Sequence, residues 1–233
     1  MATVLLLRHG RTTSNATGEL AGRRPVGLDE TGTNQASRAG ARLNGLPIAA
    51  VVCSPLPRCR QTVQIALPDA EIIEDEGLTE CGYGDWEGKQ LKELAKDPLW
   101  PVVQQHPSAA VFPNGESMAG MSARAVATVR RWDAKINAEH GPEALWVACS
   151  HGDVIKAIVA DALGLHLDQF QRIVADPASV TVIRYTATRP FLVRLNDTSD
   201  LASLIPPKPA PGAAVDPAEQ SDAAVGGGAG AGI

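Results

Sequence analysis

The stretch V4-L-L-L-R-H-G-R-T-T-S-N15 decides how the rest of the chain is read. Val4 to Leu7 is a short run of branched apolar residues, the signature of a buried strand, and it breaks at once into Arg8, His9 and Gly10. Arg8 offers a fixed fork of donors, His9 a nitrogen that is neutral and nucleophilic near pH 7, and Gly10 lets the backbone turn sharply beside them. Such a strand end can grip and attack an anion. A satisfied core histidine would give the same triplet, so the meaning of His9 depends on its partners elsewhere in the chain.

A second apolar run, Ile48 to Cys53, leads into S54-P-L-P-R-C-R-Q-T62, again a strand, a turn and a helix start. Ser54 before proline predicts an N-cap, with Arg58 in the first helical turn near the sheet's C-terminal edge. Ligands of open α/β sheets collect at that edge. Ala144 to Cys149 predicts a third buried strand, followed by Ser150, His151 and Gly152, which repeats the opening pattern. A helix with the apolar stripe Val154, Ile155, Ile158, Val159 and Ala162 follows, with Gly164 as its stop. Its first-turn amides would favour an anion beside His151.

Between these landmarks, Thr31 to Leu46 predicts a small-residue helix, and Met118 to Ile136 a long amphipathic one whose stripe is core. Ser14 to Leu28 reads as a loop over the strand end, with Arg23 and Arg24 either substrate contacts or a solvated surface pair. L78-T-E-C-G-Y-G-D-W-E-G88 is an irregular loop in which Glu80, Asp85 and Glu87 could donate a proton. Residues 98–113 form a proline-interrupted helical insertion whose Trp100 and Phe112 supply an apolar wall. Val180 to Tyr185 and Phe191 to Leu195 close the sheet as a hairpin. The predicted fold is α/β, three-layered, with a mostly parallel central sheet flanked by helices. Residues 205–233, rich in Pro, Gly and Ala, lack a pattern able to offset ordering entropy and are predicted to be disordered.

With 233 residues, 44% of them hydrophobic, the chain fits one domain. A net charge of −5 argues against a nucleic-acid partner, and no apolar stretch reaches membrane-spanning length. The N-terminus has no secretory pattern, and the four scattered cysteines read as reduced thiols, so a cytoplasmic location is expected.

Two histidines and two arginines at neighbouring strand ends suit phosphoryl transfer. Arg8 and Arg58 would clamp a phosphate dianion, His9 would attack phosphorus, a protonated His151 would stabilise the equatorial oxygens, and Asn15 would donate to them. Glu80, held protonated, would supply the leaving group's proton. Two histidines with carboxylates could instead hold zinc.

These motifs, 5–15, 54–62, 78–88 and 150–153, occur in the order found in the histidine phosphatase superfamily, which includes cofactor-dependent phosphoglycerate mutase, and the chain resembles that family over positions 3 to 195. The resemblance implies a phosphoglycerate mutase-like domain over residues 1–204, with an insertion at about 89–115 over the active site. It implies His9 as the phosphorylated histidine, Arg8 and Arg58 as clamps, His151 as the second histidine, Asn15 as a pocket donor and Glu80 as acid and base. Arg23 and Gly152 are further candidate substrate contacts. No metal and no cofactor are implied. The implied activity is that of a histidine acid phosphatase-type phosphoric monoester hydrolase on a small-molecule phosphate ester.

A phosphomutase is the alternative, but the arginine pair that similar mutases carry in the insertion is missing between Glu87 and Ser117. A catalytically silent phospho-ligand or partner-binding member is a third reading. Asp153 is a second candidate acid. A homodimer through an exposed sheet edge or the Trp100 region is also open.

Overall fold

The computed structural model describes residues 1–198. The predicted disordered tail, 205–233, lies outside the described residues. The chain begins with β1 (Thr3–Arg8), followed by a single helical turn α1 (Thr13–Thr17) and by α2 (Glu30–Leu43). Then come β2 (Ile48–Cys53), α3 (Pro57–Ala66) and the short β3 (Ile72–Glu74). The insertion carries α4 (Leu91–Leu94) and α5 (Trp100–Gln105). The long α6 (Met118–His140), β4 (Leu145–Ser150), α7 (Gly152–Ala162), β5 (Val180–Tyr185) and β6 (Pro190–Asp197) complete the fold.

Six strands form one sheet in the order β3-β2-β4-β1-β5-β6. The first four run parallel, and β5 and β6 are antiparallel, as the hairpin reading expected. Alternation along the strands divides the core into two layers. Val4 and Leu6 of β1 face Trp146, Met121, Val129 and Ile158, under α6 and α7. Leu5 and Leu7 face the opposite way, into Ala39, Leu43, Val63 and Val147, under α2 and α3. Helices on both faces of a mostly parallel sheet make the three-layer α/β fold.

The topology places the site. Strand β1 feeds α2 on one face and its neighbour β4 feeds α7 on the other, so a crevice opens between their C-terminal ends. Arg8 pairs with Ser150 at the last rung, and His9 N–H donates to the Ser150 carbonyl at 3.0 Å. His9 and His151, 142 positions apart, therefore leave adjacent strands side by side.

Two expectations need correction. The stretch Ser14 to Leu28 is not all loop, since its first residues lie in α1. Thr12 and Asn15 form a capping box around α1, a helix too short to show periodicity. Ser54 does not cap α3, whose N-cap is Leu56, with Pro57 as its first helical residue and no side-chain cap. Its hydroxyl lies 2.8 Å from His151 Nε2 instead.

Candidate active site

Arg58 is the hub. The guanidinium is 2% exposed, and its Nε donates both to His9 Nε2 at 3.3 Å and to His151 Nδ1 at 3.2 Å. Its terminal nitrogens donate to the carbonyls of Arg24 at 3.1 Å and Gly22 at 2.7 Å. Of five donors, two remain for a ligand. The 16–28 loop thus serves the site with backbone oxygens that lock Arg58. Thr62 adds a brace, donating to the Arg58 carbonyl at 2.7 Å and accepting from Gly10 N–H at 3.0 Å.

His9 is held in one tautomer. Nδ1 donates to the Gly10 carbonyl at 2.7 Å, which leaves the lone pair on Nε2, the nitrogen facing Arg58. Burial first, then Arg58 and Arg8, push its pKa well below the usual histidine value. His9 is therefore a neutral nucleophile across the physiological range. The same causes, burial, Arg58 and His9 itself, lower His151 in the same direction. The expectation of a protonated His151 is corrected for the ligand-free site: with two arginines beside it and Nδ1 accepting from Arg58, the ring is neutral.

Arg8 crosses the crevice and donates to the Ala175 carbonyl at 2.6 Å, while its Nε is buried without a partner. A buried donor left unmade is unfavourable, and an anion in the crevice satisfies it. Gly152, at the start of α7, sits against this guanidinium: a Cβ there would lie 3.6 Å from Arg8 Nε and Cζ.

Glu80 is 9% exposed and lines the same cavity. One carboxylate oxygen accepts from Cys81 N–H at 3.0 Å. Burial, followed by the charge of Asp153, raises its pKa to about 7, so near neutral pH it holds a proton it can give away. Its own carbonyl is fixed by two arginines, Arg23 Nε at 3.2 Å and Arg124 at 3.0 Å, and both of these pair with Glu116. Arg23 does not line the cavity; Glu87, Glu80 and Glu116 hold it outside. The expected substrate contact at Arg23 gives way to a positioning one. Arg24 likewise pairs with Glu19. Asp153, the other candidate acid, accepts from Tyr83 Oη at 2.7 Å on one oxygen and from Lys156 at 3.3 Å on the other.

Asn15 lines the cavity, its carbonyl oxygen used by the capping box and its amide nitrogen left to donate. The cavity holds about 370 Å³, enough for a small metabolite. Its apolar wall comes from the insertion and the 78–88 loop: Trp86 stacks on Trp100 at 6.1 Å and meets Phe112 edge-on at 5.2 Å. Sequence reasoning missed Ser54 as a partner of His151, the carbonyls of Gly22 and Ala175, and Lys156 on the cavity wall. Only Ser54 lay inside a motif that could have flagged it.

Two neutral histidines and two arginines at the C-terminal edge of the parallel strands, with a protonatable carboxylate on the wall of the same crevice, define a protein built for phosphoryl transfer. The matching family model spans residues 4–198, and the chain belongs to the histidine phosphatase superfamily (branch 1). It is 32% identical over 178 residues to a probable phosphoglycerate mutase of Erwinia tasmaniensis, covering 74% of this chain and 80% of that one. It is 28% identical over 165 residues to the adenosylcobalamin/alpha-ribazole phosphatase of Salmonella typhimurium, covering 68% and 78%. Among solved structures, Bacillus stearothermophilus YhfR is similar with a TM-score of 0.78 and 27% identity, covering 88% of this chain and all of that one.

Proposed function

We propose that the protein is a phosphomonoesterase that works through a phosphohistidine, on a small phosphorylated metabolite. The observation that carries this reading is the tautomer-fixed His9, its Nε2 lone pair facing the crevice beside Arg58 and the unpartnered Arg8 Nε. The phosphatase named among the relatives supports it.

In the first step His9 Nε2 attacks phosphorus, the bond from phosphorus to the ester oxygen breaks, and the Glu80 proton passes to that oxygen. Arg8, the free donors of Arg58, Asn15 and the Gly152 amide hold the equatorial oxygens. His151 is fully buried behind the cavity wall, between Arg58 Nε and the Ser54 hydroxyl, and its part is to hold the Arg58 guanidinium in place. In the second step water attacks the phosphohistidine, and Glu80, now ionised, accepts the water's proton. Inorganic phosphate leaves and His9 is restored. Glu80 is the acid rather than Asp153, because both Asp153 oxygens already accept from Tyr83 and Lys156. The finer assignment, a histidine acid phosphatase-type hydrolase, belongs to the same proposal, since its acid is a carboxyl group kept protonated by burial.

The test is rapid quench with a 32P-labelled ester. An acid-labile phosphate on the wild-type protein, absent in His9→Ala together with at least about a thousandfold loss of turnover, is the expected result. Turnover in His9→Ala within tenfold of wild type would overturn the assignment.

A further inference from the structure

The cavity extends past the phosphate clamp, and its far wall carries charged and amide side chains that the chemistry does not use. Four residues along α7 from Gly152, about 6 Å on the axis, Lys156 presents its ammonium to the cavity. It is held at 3.3 Å by Asp153 and at 3.0 Å by Gln171, with the Phe170 ring beneath it at 5.3 Å. Asp153 also accepts from Tyr83, and Gln171 and Gln104 line the same side. The wall of Trp86, Trp100 and Phe112 adjoins this polar strip, Tyr83 meeting Phe112 edge-on at 5.0 Å.

Charge decides what such a strip can read. Arg8 and Arg58 belong to the phosphate, which leaves Lys156 as the one other cation lining the cavity among the described residues. Asp153 neutralises it at contact distance, and Glu19, another acid of the cavity wall, is neutralised by Arg24. The far end is thus close to neutral in net charge. A substrate carboxylate or second phosphate there would have to share Lys156 with Asp153, at the expense of an ion pair already in place. Hydroxyl groups meet no such penalty: each donates and accepts, and the Tyr83–Asp153–Lys156–Gln171 array offers both kinds of partner. The adjoining aromatic wall takes the C–H groups of the same molecule.

Resting on the phosphatase reading above, we infer that Asp153, Lys156 and Gln171 form a hydroxyl-reading subsite, and that the substrate is an otherwise uncharged hydroxylated monophosphate, a polyol or sugar phosphate. The ion pair is a charge filter: it admits the neutral body and rejects a distal anion.

A matched pair of esters tests this. Glycerol 3-phosphate and 3-phosphoglycerate differ in a terminal CH2OH against a carboxylate, so the ratio of their kcat/KM values isolates the distal group. The wild-type ratio is expected to favour glycerol 3-phosphate by about tenfold or more. Asp153→Asn leaves Lys156 unneutralised and should move the ratio toward 3-phosphoglycerate by about tenfold. Lys156→Met leaves Asp153 bare and should move it the opposite way. General damage to the fold or to Glu80 lowers both esters together and leaves the ratio in place, so opposite shifts from the two variants carry the subsite. A wild-type preference for 3-phosphoglycerate, or variants that leave the ratio unmoved, would overturn it while the phosphatase reading stands. No His9-dependent phosphate release from any ester, including an aryl phosphate, would overturn both.

Discussion

At the residue scale the two ionisable groups of the reaction are shifted in opposite directions, and that sets the pH dependence. His9 stays neutral well below pH 6.5, while Glu80 loses its proton only near pH 7. For alkyl phosphates, whose leaving group needs the proton, kcat/KM is expected to fall tenfold per pH unit above 7, with a separate acid-side fall below about pH 6 where the ester itself loses its dianion form. In Glu80→Gln the alkaline limb should vanish and alkyl turnover drop by roughly a hundredfold or more, with a smaller loss on activated aryl phosphates. An unchanged alkyl profile in Glu80→Gln would remove Glu80 from the acid's role. The same shift bears on stability. Because the folded state binds this proton more tightly than the unfolded chain does, the contribution is full below the unfolded value of 4.5 and is lost as pH rises through 7. Burial of the ionised carboxylate therefore destabilises the fold at pH 8 by on the order of 3 kcal/mol. Glu80→Gln should be more stable than wild type in urea at pH 8, and not at pH 4. A buried acid of this kind gives up stability at neutral and alkaline pH for its chemistry.

At the element scale the site depends on how closely α2 approaches the end of β1. A Cβ on Gly32 would sit 1.9 Å from the Arg11 carbonyl oxygen, and one on Gly10 would sit 2.5 Å from that of Gly32. Both contacts are backbone against backbone, so neither side can yield by a rotamer change. Gly32→Ala is expected to destabilise the protein by about 3 kcal/mol in urea titration and to lower kcat, because the displaced strand end carries His9. An equivalent fit joins the 78–88 loop to the turn before α6, where Gly84 at φ +54° lies against the Pro113 carbonyl. These approaches mark the boundary of what the sequence discloses. Strands β1, β2 and β4 were legible because each is a bounded apolar run, and α6 and α7 because their stripes keep helical spacing. The chemical side chains were legible too, since Arg8, His9, Arg58, Glu80 and His151 each occupy a motif. Residues that act through the backbone were not: a carbonyl such as that of Gly22 or Ala175 leaves no trace in residue type. Ser54 misled because serine before proline signals a cap, while the partner it has, His151, lies 97 positions away. Lys156 read only as a helix residue, since its place on the cavity wall depends on where the insertion folds.

At the scale of the whole molecule, phosphatase and mutase differ in what the cavity does with the phosphohistidine. A mutase must return the phosphate to a second position of a substrate it holds by another anion. Nothing in the insertion supplies the cation for that. Its basic residues, Lys89, Lys92, Lys96 and His106, do not line the cavity, and Lys96 pairs with Glu93 at the surface. The wall they would need to occupy is Trp86, Trp100, Val103 and Phe112. With no second grip, the dephosphorylated product leaves before it can reorient, and water takes its place at phosphorus. Incubated with 3-phosphoglycerate, the protein is expected to release inorganic phosphate with isomerisation to 2-phosphoglycerate at under about a tenth of that rate, followed together by phosphate assay and 31P spectroscopy. Isomerisation outrunning release would make the protein a mutase, as its Erwinia relative is named. The reaction also bounds the part of the chain that performs it. Every group used lies between Arg8 and Ala175, and the last strand ends at Asp197. We propose residues 1–204 as the catalytic domain, so a chain ended after Leu204 should keep kcat/KM within about twofold of the full-length protein on the same ester. A larger loss would assign residues 205–233 a part in catalysis or folding.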